Sequence, residues 1–464
     1  MQSRRSPSLL LPLTLLVSLA SAGSLAAQDG ALDPALSADG KWDWYTNGLG
    51  RLTAASPLAS GGVGFAGRYA SPFTWFFHTA EMFTSNSEIT FDFAADGAIA
   101  ALDVEDIQED ASGRVVLAGV VLTGPGIYRP ALARLTQQPT PPPFWTYALD
   151  ATFDGDGRKI GPAPPAGWSL DNINAAVVLP DGRSLFTGSC SDCLGVGVDG
   201  AFVVRLTAAG AADAAFSGDG WFAFAVGGYA VTQPNAITVA NAGAVLIAGQ
   251  TATPSVVGFV ARITSTGTLD PAIHNGADGF YELTPGGTGT PTAVAFDPDT
   301  GKAVVARGLS GSVAGAALLG FNAIGNVEST FGTAGVLDLD IEEGARLDAV
   351  EYQSDGKIVA AGTIDANGAP SAGFFLVRAL ANGVLDPSFD GNGLKRVEFD
   401  LQSDGIDQAH AATLYGGRFV VVGEAEYDFA GQQSNLAALQ LTSALIFTDG
   451  FERGSTLTWS ATLP

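Results

Sequence analysis

At 464 residues the chain is long enough for several domains or one large repeat array, and its 60 glycines and 24 prolines imply many turns. Only 15% of residues are charged, yet Asp and Glu outnumber Lys and Arg 47 to 22, for a net charge of -25. That balance argues against nucleic acid or an anionic membrane surface as partner, because a phosphate backbone demands clustered Lys and Arg; solubility is the simplest role for the excess acid.

Residues 1–27 have the form of a secretory signal: Arg4 and Arg5, an apolar run from Leu9 to Ala20, then small residues that allow cleavage after Ala22 or Ala26. The mature protein is therefore expected to be exported. No later stretch is apolar for long enough to span a membrane as a helix. From residue 28 to 445 the chain is expected to form one repeat array, and residues 446–464 leave its pattern.

The array shows first in a recurring joint, clearest at Leu385-Asp386-Pro387-Ser388-Phe389-Asp390-Gly391-Asn392-Gly393. Asp386 suits a helix N-cap and Pro387 a first helical position, so Leu385 and Phe389 fall on one side of a single turn. The glycines then supply a reversal with positive φ at no steric cost. Taking Asp386 as marker, the equivalents are Asp33, Glu88 (with Phe91), Asp150, Asp213, Asp270 and Glu328. Subtraction gives spacings of 55, 62, 63, 57, 58 and 58 residues, hence seven units. A second marker stands midway in each unit, a tight turn and an apolar strand ending in Gly, as in Asp355-Gly356-Lys357-Ile358-Val359-Ala360-Ala361-Gly362. Its other strand-end glycines are Gly67, Gly119, Gly188, Gly249, Gly308 and Gly423. Two markers sharing one period establish a repeat.

Each unit offers four candidate strands; in the fourth they are Trp221–Val226, Ala236–Ala240, Ala244–Ala248 and Gly258–Ile263. The runs are apolar almost throughout, the pattern of sheets covered on both faces, and no helical period intervenes. Seven repeats of about 58 residues with four antiparallel strands each predict an all-β, seven-bladed β-propeller. An open β-solenoid usually has a shorter period. The chain opens with a joint at Leu32 and closes on a strand at Asn435–Leu441 with no joint after it. If each joint packs on the preceding blade, the N-terminal joint seals the ring.

These units resemble the delta-60 repeat family of bacterial exported proteins, with the joint as Leu149-Asp150-Ala151-Thr152-Phe153 and Leu385–Phe389, and a final strand as Ala201–Leu206, Phe259–Ile263 and Phe375–Leu380. The resemblance covers roughly residues 31 to 445 and departs from the pattern at Glu88 and Phe77-His78. It implies a β-propeller and brings no catalytic residues. Arg134, Arg205, Arg262 and Arg378 are most simply strand-end partners of the joint aspartates. The tail, with Asp449-Gly450-Phe451-Glu452, looks like a short Asp-Gly-Phe-Glu-x-Gly segment found at the C-termini of exported gram-negative proteins, which suggests a sorting signal.

Candidate chemistry is sparse. The cysteines, Cys190 and Cys193, lie just past a strand end, where an oxidising compartment favours a local disulfide; the following Leu-Gly-Val-Gly is a poor start for the helix of a thioredoxin-like site. His78, His274 and His410 fall in different units without zinc-ligand spacing. There is neither a nucleophile elbow with its triad nor a phosphate loop. Asp150, Asp154 and Asp156 offer oxygen ligands for calcium but lack the later acid of an EF-hand, and Ser217-Gly218-Asp219-Gly220 likewise. Pro-rich loops at Pro139–Trp145 and Gly161–Trp168 carry aromatics that either cap a blade or form a recognition edge. The chain reads as an exported, non-catalytic, monomeric interaction or cell-surface module without a cofactor, its partner a protein or glycan. The alternative is an extracellular hydrolase or lyase acting on a glycan or lactone, which a cluster of inward acids with a His around the central channel would favour. The expected address is extracellular or outer-surface, with the periplasm as the other possibility.

Overall fold

The computed structural model describes residues 31–33, 41–44, 50–59, 61–69, 74–80, 87–139, 146–229, 231–252, 256–273, 278–283, 289–309, 315–339, 341, 345–365, 372–399, 407–426 and 434–442. The proposed signal, His274, Pro141–Trp145 and the tail from 446 lie outside them.

Each apolar run of the fourth unit is a strand, as β-branched and aromatic residues bounded by Gly and Asn favour. After β1 (Lys41–Trp44), blade one is β2 (Gly50–Pro57), β3 (Val63–Tyr69), β4 (Thr74–Ala80) and β5 (Ser87–Phe91). Blade two is β6 (Ala100–Glu109), β7 (Arg114–Gly124), β8 (Ile127–Gln138), and an outer strand split into β9 (Thr146–Leu149) and β10 (Arg158–Ile160). Blade three is β11 (Ser169–Leu170) with β12 (Ala175–Val178), then β13 (Ser184–Ser191), β14 (Gly200–Leu206) and β15 (Trp221–Phe224). Blade four is β16 (Thr232–Val239), β17 (Val245–Thr251), β18 (Gly258–Ile263) and β19 (Phe280–Leu283), and blade five β20 (Gly289–Phe296), β21 (Ala303–Leu309), β22 (Gly315–Phe321) and β23 (Val336–Asp338). Blade six is β24 (Arg346–Tyr352), β25 (Ile358–Asp365), β26 (Ala372–Ala379) and β27 (Leu394–Val397), and blade seven begins with β28 (Asp407–Tyr415), β29 (Arg418–Glu426) and β30 (Ser434–Thr442). The seven antiparallel sheets form a ring, a seven-bladed β-propeller with no α-helix among the described residues.

The sequence repeat and the blade are out of step by one strand. The strand after each joint is the outermost strand of the preceding sheet: β15 pairs with β14, β19 with β18 and β27 with β26. Trp221–Phe224 thus belongs to a different blade from the three strands that follow it in the fourth unit. The same offset closes the ring, because β1 follows the first joint and has only β30 to pair with, Lys41 opposite Leu439 and Trp44 opposite Leu436. Leu32 bridges Leu441, and the Asp33 amide donates to Gln440 O at 2.8 Å. Blade seven therefore has no bare edge at β30.

Stability sits in the seams. Seven buried apolar clusters each join two adjacent sheets, from Phe77, Leu117 and Tyr147 between blades one and two to Phe65, Phe76 and Val422 between seven and one. Trp75 is fully buried in the first seam, and its Nε1 donates to Leu102 O at 2.7 Å, satisfying the one polar atom that burial would strand.

The strand-end glycines have a steric cause. In six blades the innermost strand carries a β-bulge or break, at Thr53, Glu105, Asn174, Asn235, Asp348 and His410, that drives a carbonyl toward the second strand. A Cβ on Gly67, Gly119, Gly188, Gly249, Gly362 or Gly423 would stand 1.8–2.4 Å from that carbonyl oxygen. Blade five is bulged at Thr292, but Arg307 occupies the matching place; Gly308 pairs one step further on, opposite Thr290, with open space around it. Gly308 is therefore not the equivalent of the other six.

Candidate functional site

The joints are built from short-range chemistry. In blade six the Asp386 carboxylate accepts from the Ser388 amide at 3.0 Å, from Ser388 Oγ at 2.7 Å and from Arg378 Nε at 2.9 Å. The Arg378 guanidinium lies 5.1 Å from the centre of the buried Phe389 ring, a cation–π contact made below the carboxylate. Gly393 has φ 86°, and a Cβ there would stand 2.9 Å from the Asp386 nitrogen. Blade two repeats the set with Asp150, Thr152, Arg134 and Phe153, the ion pair at 2.7 Å and the ring at 4.7 Å. Arg205 meets Asp213 at 2.7 Å and Arg262 meets Asp270 at 3.2 Å.

The second marker supplies a further base to the same acid. Lys357 lies 3.2 Å from Asp386, Arg183 3.7 Å from Asp213, Lys302 3.3 Å from Glu328 and Arg418 2.6 Å from Asp33. In these four cases the two sequence markers meet at one carboxylate, whereas in blade two Arg114 pairs with Asp110 at 2.6 Å instead. In blade five Gly320 replaces the Arg, and the Phe331 ring fills its place, 2.5 Å from where a Cβ would be. Burial works against the Asp386 carboxylate, but the Ser388 hydrogen bonds and the charges of Arg378 and Lys357 outweigh it and hold its pKa below the usual range.

Glu88 is not a joint. It is exposed within β5, opposite His78, and accepts from Tyr69 Oη at 3.0 Å. The turn falls at Ala94–Asp96, where Asp92 Oδ1 accepts from the Ala94 amide and Phe93 is buried. The carboxylates proposed for calcium are each taken up by a base of their own. Asp150 pairs with Arg134, Asp154 with Lys159 at 2.9 Å and Asp156 with Arg158 at 2.5 Å. Among the described residues no three His, Cys, Asp or Glu stand close enough to hold one ion. Cys190 and Cys193 form a disulfide. Trp168, from the second Pro-rich loop, is half-buried edge-on against Trp221 at 6.2 Å, so it caps blade three. His78 is buried beside Trp42, which lowers its pKa, and His410 Nε2 lies 3.1 Å from Glu424.

Sequence reasoning named the central channel but did not identify the residues that line it. The seven innermost strands enclose about 660 Å³, lined among the described residues by Glu105, Asp106, Asp297, Asp299, Asp348 and Glu351 with His410; no described Lys or Arg lines it, although Arg346 Nε reaches Asp348 at 2.9 Å. The bulge residues Thr53, Glu105, Asn174, Asn235, Thr292, Asp348 and His410 all face it, one from each blade. Six of the seven are followed by alanine, a polar–Ala step that recurs once per repeat and could have been read from the sequence. The exception is Glu105-Asp106, which puts two adjacent acids in the channel. Burial pushes Glu105 and Glu351 up to about 8 and Asp106 to about 7; burial also raises Asp348.

Channel side chains stitch blade to blade. Thr53 Oγ1 donates to Val104 O at 2.6 Å, Asn174 Nδ2 to Pro234 O at 2.8 Å and Asn235 Nδ2 to Pro291 O at 3.0 Å, while Thr292 Oγ1 donates to Leu347 O. Asp106 accepts from the Val178 amide at 2.6 Å and Glu351 from the Leu414 backbone. At the closing seam the Gly62 amide donates to Tyr415 Oη at 2.6 Å. Six of the seven seams thus carry a polar tie from a channel side chain, and the closing seam carries one between Tyr415 and the turn at Gly62.

A ring of this kind, with joints outside and ties inside, defines the chain as a β-propeller of the repeat-built class. Residues 353–389, which span one second marker and the first part of the following joint, match the family model of a domain of unknown function (DUF5122) described as a beta-propeller. No curated protein matches the chain. Among solved structures it is similar to a protein of unknown function from Dyadobacter fermentans (TM-score 0.43, 13% identity, 86% of this chain and 98% of that one). It is also similar to the β-propeller domain of the Trilobed protease from Pyrococcus furiosus (TM-score 0.43, 8% identity, 84% and 95%). A third is the α-L-arabinanase of Penicillium chrysogenum (TM-score 0.39, 10% identity, 85% and 98%). Likenesses this distant say nothing of function.

Proposed function

We propose that the chain is an exported, non-catalytic β-propeller that serves as an interaction or cell-surface module for a protein or glycan, acting as a monomer outside the cell or at its outer surface. Export is supported by the signal-like residues 1–27, and the Asp449–Glu452 tail is a candidate sorting signal. The observation that carries the non-catalytic reading is the use of the channel's polar groups. Asp106 and Glu351 accept backbone amides of the next blade, Asn174, Asn235, Thr53 and Thr292 are spent on neighbouring carbonyls, and His410 faces Glu424.

A second reading, a hydrolase or lyase acting on a glycan or lactone, is favoured by the gathering of Glu105, Asp106, Asp348, Glu351 and His410 on one channel. Acids titrating near neutrality can serve as general acids. Incubating the secreted protein with a panel of polysaccharides and lactones separates the two. The module reading expects no product beyond that of a Glu105→Gln, Glu351→Gln double variant; turnover that this variant loses establishes the enzyme instead. Calcium at the Asp150, Asp154 and Asp156 turn remains a proposal in which the ion must displace Arg134, Lys159 and Arg158; at a few times a weak extracellular dissociation constant it adds about 1 kcal/mol, and a melting midpoint unchanged by excess chelator removes it.

A further inference from the structure

Among the described residues, the loop after the disulfide carries the most exposed large apolar side chain. Val196 is 99% exposed, Val198 49% and Leu194 38%, although the loop around them is cross-linked and hydrogen-bonded to itself. Cys190 is buried at the end of β13 and is bonded to Cys193, which anchors the loop root. Asp192, with φ 60°, accepts from the Gly197 amide, its own amide donates to Asp199 at 3.2 Å, and the Leu194 amide donates to Val198 O at 3.2 Å. Leu194 folds back over Gly200, its Cδ1 2.7 Å from where a Cβ would be, but a loop built only to connect β13 to β14 has no need to hold Val196 and Val198 outward.

Ile127, 53% exposed, opens β8 at the same end of the neighbouring blade; the next residue, Tyr128, packs into the cluster that contains both cysteines. The apolar tip is flanked by Asp171, Asp192 and Asp199, none of which forms an ion pair with a described basic side chain. Asp171 is held instead by Ser191 Oγ at 2.9 Å.

We propose that this disulfide-braced loop is a docking surface for a protein partner that presents an apolar pocket rimmed by Lys or Arg. The proposal rests on the interaction-module reading and gives that module its surface. The charge is what fixes the partner's chemistry. Uncompensated carboxylates around an apolar tip repel an anionic membrane or acidic glycan and favour a basic protein face, and a loop already ordered loses little conformational freedom on binding.

The test uses three labelled synthetic peptides of equal length, alternating Lys–Leu, Glu–Leu and Lys–Ser, titrated against the secreted protein by fluorescence anisotropy. Only the Lys–Leu peptide is expected to bind well. Val196→Ser, on a side chain that makes no buried contact in the free protein, is expected to weaken it about tenfold, the loss for withdrawing a buried valine. Asp171→Asn and reduction of the disulfide are expected to weaken it as well. Equal binding by wild type and Val196→Ser would mean that the peptide senses only the acidity of the chain, and it overturns the proposal, as does the absence of Lys–Leu binding. Failure here without glycan turnover removes this surface and leaves the module reading standing; turnover removes the module reading itself.

Discussion

Replacing Gly362 with alanine tests whether the innermost strands are held by their bulges. The new Cβ would stand 2.0 Å from Arg346 O and 2.6 Å from Leu347 Cα, both backbone atoms of β24 that cannot swing aside as a side chain would. One of the two strands must move by more than an ångström, which slackens the ladder where Asp348 bulges into the channel. Overpacking of this kind costs about 1–3 kcal/mol and occasionally more, and backbone contact places Gly362→Ala at the upper end. Gly308→Ala is the matched control: the same substitution on the equivalent strand of blade five, with nothing within 4 Å of the added atom and an expected cost within about 0.5 kcal/mol. Urea unfolding followed by tryptophan fluorescence gives both midpoints, and an unchanged slope shows that stability has changed and not the extent of unfolding. Equal midpoints for the two variants would refute the steric account of the strand-end glycines.

Asp386→Ala leaves the Arg378 guanidinium buried without its carboxylate, and thermal melting is expected to show a loss of about 3–5 kcal/mol; Asp270→Ala, in a more open pair, should cost clearly less. Glu105, Asp106 and Glu351 have folded pKa values above their unfolded ones, so their contribution is fully present below about pH 4 and is lost as pH rises through 7 to 8. The melting midpoint is therefore expected to fall from about pH 4 to about pH 8 and to level off above, and Glu105→Gln with Glu351→Gln to flatten the fall. Cys190 and Cys193 are expected to resist thiol labelling until reductant is added, as judged by mass spectrometry.

The joints were legible because everything that makes them is local. Asp386, Phe389 and Gly393 lie within eight residues, and the partners Arg378, on β26, and Lys357, just before β25, belong to the same blade. The blade boundary was harder, since whether Trp221–Phe224 joins the strands before or after it depends on a pairing partner, and apolar strands leave that choice open. Glu88 was misread for a related reason. Its distance from Asp33 fits the period, but the turn that carries the buried aromatic begins four residues later at Asp92, with Phe93. The channel stayed hidden although its signal was present. Thr53-Ala54, Asn235-Ala236, Thr292-Ala293 and Asp348-Ala349 look like ordinary strand residues until the bulge turns the first of each pair toward the axis.

That channel acids hold the ring together is tested most directly by comparing Asp106→Ala and Glu351→Ala with Asp106→Asn and Glu351→Gln in one unfolding series at pH 7. Alanine strands the backbone amides of Val178 and Leu414, at a cost of about 1–3 kcal/mol each, whereas the amide side chains keep an acceptor in place and should remain close to wild type. Alanine variants as stable as the wild type would contradict the account and return these carboxylates to the candidates for chemistry.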